Sequence, residues 1–116
     1  MSKSLHDNID VIESGYEFLL AYAAQGRDSD EGPGGSEVRT TLTGMSEAAD
    51  NIAADLGGED SKFAQVVVDD AGKAGAAIEL VLAQEKISSE LVDNLNASIH
   101  LRALLTDLFL LSEAKF

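Results

Sequence analysis

The sequence predicts an all-α fold, an antiparallel up-down-up-down four-helix bundle. Three observations carry this: apolar residues recur at three- and four-residue spacing in four separate segments, aromatics are only 5% of the chain, and glycine-containing breaks divide the segments. The chain has 116 residues, 45% of them hydrophobic. That is enough for one core and one domain spanning 1–116.

The first helix is expected from about Ser4 to Ala24. Leu5, Ile9, Ile12, Tyr16, Leu19 and Ala23 step by four and three, a seam that faces a core. Gly26 stands where a left-handed cap is wanted. Residues 26–36 follow, rich in glycine and acids and holding the only proline; they are expected to form a mobile acidic loop. The second helix should open at Ser36 or Glu37 and run to Leu56, burying Val38, Leu42, Met45, Ala49, Ile52 and Leu56. Gly57 and Gly58 end it.

Asp60 or Ser61 caps the third segment, whose apolar face is Phe63, Val67, Ala71, Ala74, Ile78 and Val81. Gly72 and Gly75 each weaken a helix by ~1 kcal/mol relative to alanine. The segment therefore either kinks or breaks near Gly72, or uses its small residues to admit another helix closely. The fourth segment opens at Ser88 or Ser89 and runs to about Ala114. Its apolar face drifts: Leu91, Leu95 and Ile99 lie on one side, whereas Leu101, Leu104, Leu105, Leu108 and Leu111 centre well round from them.

Helix one carries a second apolar stripe. Val11, Gly15, Phe18 and Tyr22 step by four, three and four, about 120° from the core seam. Two stripes imply burial on two sides, which a second chain or partner, a central position in the bundle, or the 26–36 loop folding over the helix would supply. Val92 and Leu110 share a line on helix four, eighteen residues apart. The sequence thus offers Val11, Phe18, Tyr22, Val92 and Leu110 as contact residues of a homodimer.

Composition excludes several function classes. The formal net charge is −13, from 21 acidic and 8 basic residues. It is spread evenly, with no segment carrying more than three net negatives. Such a chain repels nucleic-acid phosphates and anionic membranes. No run approaches the ~18 apolar residues of a membrane span, and the N-terminal MSKSLHDNIDVIE lacks a signal-peptide core. A cytoplasmic location is the expectation. The absence of cysteine removes thiolate ligands and nucleophiles.

The chain completes none of the familiar chemistry-bearing patterns. His6 and His100 are preceded three residues back by Lys3 and Ala97, so no Glu-x-x-His pair of a dimetal bundle exists. Glu13 and Glu17 read as a solvated face. Counted from Asp28, the calcium-loop positions that need an acid, a glycine and a glutamate hold Gly32, Pro33 and Arg39. GPGG at 32–35 lacks the strand and lysine of a phosphate loop, and no G-x-S-x-G elbow is present. No metal, cofactor or catalytic residue is expected.

SIHLRALL places His100 on a helix. A small acidic bundle with one such histidine resembles the histidine phosphotransfer class in outline, and the resemblance implies phosphate transfer through His100. The lysine expected three places on is Ala103, and the small residue after it is Leu104. The reading from the residues is a small non-enzymatic protein acting through protein–protein contact, as an adaptor, regulator or assembly factor, with itself or another protein as partner. The alternatives are an acidic inhibitor or immunity-type protein that blocks a basic site, and phosphotransfer through His100.

Overall fold

A computed structural model describes residues 3–114; the outermost residues of the expected 1–116 domain lie outside it. Five helices form: α1 (Lys3–Ala23), α2 (Glu37–Leu56), α3 (Lys62–Leu82), α4 (Ser89–Ala97) and α5 (Ile99–Glu113). No strand occurs among the described residues. The expectation of four helices is corrected to five, and the molecule measures 46 × 21 × 19 Å.

The seams sort as their spacing requires. Leu5, Ile9, Ile12 and Leu19 of α1 and all six expected residues of α2 are buried. So are Val67, Ala71, Ala74, Ile78 and Val81 of α3, while Tyr16, Ala23 and Phe63 are partly covered. α1 packs on α2 and α4, α2 on α3, and α3 on α5. The α1–α2 pair is antiparallel, since Asn51 near the end of α2 donates to Asn8 near the start of α1. The α2–α3 pair is antiparallel too: Ser46 reaches Glu79, and Arg39 at the start of α2 reaches Leu82 at the end of α3.

Gly72 does not break α3, which continues from Lys62 to Leu82. Gly72 is exposed, with open space around it, and Gly75 brings its backbone to Ala49 of α2, a position where a Cβ would lie 4.0 Å from the alanine methyl. Small residues here serve close packing. The break falls instead at Ser98, whose extended backbone (ψ 139°) ends α4 and whose hydroxyl accepts from the Leu101 amide to start α5. The drift of the apolar face is resolved by this change of direction: Leu95 is buried from α4, and Leu101, Leu104, Leu105, Leu108 and Leu111 are buried from α5. Ser61 and Ser88 cap α3 and α4 through the amides of Ala64 and Leu91. Gly26, with φ 67°, supplies the left-handed residue after α1.

Residues 26–36, the segment expected to be mobile, lie beside the α3–α4 connection and bond to it. Asp30 accepts from the Arg39 guanidinium at 2.6 Å and from the Ile87 amide at 2.9 Å. Arg39 also donates to the carbonyls of Leu82, Gln84 and Glu85, which have no acceptor role left within the ending helix. These two donors hold the Asp30 carboxyl below its ordinary range, the Arg39 bond first and the Ile87 amide second. Tyr22 donates its hydroxyl to the Ile87 carbonyl at 2.7 Å; Ser89 donates to the Tyr22 carbonyl, and its hydroxyl accepts from the Arg27 amide.

Candidate interaction surfaces

The expected contact residues part company in the structure. Tyr22 and Val92 have no exposed surface within the chain. Their assignment to an interface with a second copy is corrected: they are core. Tyr22 is buried because α4 and the Ile87–Ser89 turn close over the end of α1, and burial, followed by the nearby Asp30 charge, pushes its hydroxyl pKa up. Gly15, in the middle of the same stripe, is buried against α2; a Cβ there would stand 2.5 Å from the Met45 side chain. Half of the second stripe is thus absorbed by a central position of α1 between α2 and α4.

What remains of that stripe is a groove between α1 and α2. Val11 is 41% exposed and Phe18 half-buried. They line a hollow of about 380 Å³ with Asp10, Ser14, Gly15, Thr40, Thr41 and Gly44. Phe18 stacks on Tyr22 with ring centres 6.3 Å apart, so much of its surface is spent inside the chain.

The larger uncovered surface is the outer side of α5. Ile99 is 73% exposed, Leu110 54% and Phe109 52%. Exposed apolar residues elsewhere (Leu20, Val66, Leu80) fall one or two to a helix, as ordinary surfaces allow. On α5 three fall on fifteen residues, and ~100° per residue places Leu110 within about 20° of Ile99. Beside this line runs a hollow of about 580 Å³ lined by Ala97, Ile99, Arg102, Ala103, Thr106 and Asp107. The sequence flagged Leu110 but missed Ile99 and Phe109. The spacing places Ile99 on one side with Leu91, which is partly covered, and Leu95, which is buried, a grouping that fails once Ser98 redirects the chain.

Asp107 is the one acid of α5 that turns inward, at 7% exposure. It faces Asp70 of α3. Burial foremost, then the shared hydrogen bond and the charge of Asp70, raise its pKa to about 7. Its Oδ2 has no partner, and neither have Oδ1 and Nδ2 of the buried Asn96. Two carboxyls are too few for a metal cage, and no cluster of three or more potential ligands occurs among the described residues.

His100 is exposed in the first turn of α5. Arg102, two places on, lies ~200° round the helix and does not flank it. No described helix is long and apolar enough to cross a membrane. Compared with protein-family models, curated proteins and solved structures, the chain matches none.

Proposed function

We propose that this protein is a small, acidic, non-enzymatic helical protein that works through protein–protein contact, as an adaptor, regulator or assembly factor, and that the outer face of α5 is its contact surface. The observation that carries this reading is the exposure of Ile99, Phe109 and Leu110 together on one helix. Several large apolar side chains left exposed on one helix are a common mark of a site of association. The α1–α2 groove with Val11 and Phe18 is second in rank, because it is smaller and its apolar residues are less exposed. We read α4 and α5 together as the fourth column of an up-down-up-down bundle, interrupted at Ser98. The interruption leaves α5 packed on α3 by one side and open on the other.

A photo-crosslinking phenylalanine analogue at Phe109 tests the reading. It should capture protein, in the purified sample or in an extract of the source cell, more strongly than the same analogue at the exposed Ala54. Equal labelling from both positions would refute the use of this face.

A further inference from the structure

We propose that the occupant of the outer face of α5 is a second copy of this chain, joined by an antiparallel α5–α5 contact in which Ile99 meets Leu110 of the other copy and Ala103 meets Thr106. The proposal rests on the contact-surface reading above and adds the partner and the register.

The first support is charge. A chain of net −13 resists its own copy wherever carboxylates line the approach. The exposed side of α1 presents Asp7, Asp10 and Glu17, and that of α2 presents Glu47, Asp50 and Asp55. Between Ile99 and Leu110 the only acid is Asp107, which is 7% exposed and lines the hollow beside the line, and the exposed ionic group is the cation Arg102. Of the faces of α1, α2 and α5, that of α5 sets the fewest carboxylates against its own copy.

The second support is self-complementarity. Measured from Ile99, ~100° per residue sets Thr106 at about −20°, Leu110 at about +20° and Ala103 at about +40°, one line along the helix. A two-fold axis at the level midway between Ala103 and Thr106 sets Ile99 of each copy level with Leu110 of the other. The two small residues share the middle, where they let the backbones approach. Arg102 and Phe109 both lie on one flank of the line, at about −60° and −80°. The two-fold brings like flanks of antiparallel helices together, with the Arg102 backbone ~3 Å along the axis from the level of the other copy's Phe109. At that offset the long Arg102 side chain can reach the aromatic face. An isologous contact makes each of these pairings twice.

The length of α5 sets the strength of the contact. α5 is about 22 Å long, and one pair of such helices buries less than the ~1,200 Å² of a permanent interface. The contact is therefore reversible, and it strengthens with salt because screening weakens the repulsion between two chains of net −13 and leaves apolar burial.

The test combines sedimentation equilibrium from 10 μM to 1 mM, in low and high salt, with disulfide trapping. The chain has no cysteine of its own, so Ala103→Cys and Thr106→Cys proteins can be made singly and mixed. We expect a monomer–dimer equilibrium in the wild type. Leu110→Glu should weaken it at least tenfold while preserving the helical circular dichroism. Arg102→Ala should weaken it severalfold, and Phe18→Glu should leave it unchanged. Under oxidation the mixed Ala103→Cys and Thr106→Cys pair should cross-link faster than a Ser14→Cys sample in the α1–α2 groove. A wild-type monomer at 1 mM in high salt would overturn the inference, as would a dimer indifferent to Leu110→Glu or preferential Ser14→Cys trapping. If the chain is monomeric while the crosslinker at Phe109 still captures other proteins, the second-copy inference falls and the contact-surface reading stands; if neither occurs, both fall.

Discussion

Asp107→Asn gives the sharpest test of the α3–α5 packing. Asp107 is 7% exposed, and burial together with Asp70 raises its pKa from 3.8 to about 7. A carboxyl whose folded pKa stands above its unfolded value supports the fold fully below about pH 4, and that support is lost as pH rises through 7. The gap corresponds to at most ~4 kcal/mol at ~1.4 kcal/mol per unit. Asparagine removes the charge and donates Nδ2–H to the Asp70 carboxylate, but it leaves its own buried oxygen without a donor, at about 1–2 kcal/mol. The net expectation at pH 8 is a gain of about 2 kcal/mol, which is ~8 °C in Tm for a domain of this size. At pH 4 the gain should vanish or reverse slightly. Thermal melts followed by circular dichroism at pH 4, 6 and 8 measure this directly. A variant destabilised equally at all three would refute the account and make Asp107 an ordinary satisfied polar residue.

Three further outcomes follow from the network beside the α3–α4 connection and from the exposed histidine. Tyr22→Phe removes the hydroxyl that donates to the buried Ile87 carbonyl and should cost about 1–3 kcal/mol in urea denaturation; no loss would mean that the carbonyl finds water. Asp30→Ala removes the carboxylate that accepts from Arg39 and from the Ile87 amide, so hydrogen exchange should quicken at Ile87 and across 26–36 while the centre of α2 stays protected; unchanged exchange would show that the segment is held by other means. His100→Ala should leave the melting temperature within a degree or two, since the side chain is exposed, and acid-labile phosphate on the wild-type histidine after incubation with a phospho-donor would instead favour the phosphotransfer resemblance.

The buried seams of α1, α2 and α3 were legible because helix period and burial select the same residues, Leu5 through Leu19, Val38 through Leu56 and Val67 through Val81. The caps at Ser61 and Ser88 and the left-handed Gly26 were legible for the same local reason: one residue type satisfies one backbone need. The Ser98 break was visible only as a drift of the apolar face. A serine inside a helical pattern carries no mark of whether its hydroxyl will cap a new helix, and glycine at 72 was the stronger local signal for interruption. Tertiary packing decided otherwise, since α2 lies close against Gly75. Tyr22 and Val92 were misplaced because periodicity shows that a face is apolar but not which neighbour covers it. The bonds of Asp30 to Ile87, 57 residues away, have no local signature at all.

The most direct test of the contact at α5 is an isotope-filtered nuclear Overhauser measurement on a 1:1 mixture of labelled and unlabelled chain near 1 mM. Within one chain the Ile99 and Leu110 backbones stand ~16 Å apart along the helix, so a signal between their methyl groups arises only between copies. The account predicts that signal, accompanied by one between Ala103 and Thr106. Intermolecular signals confined to Val11 and Phe18, or none at this concentration, would contradict it.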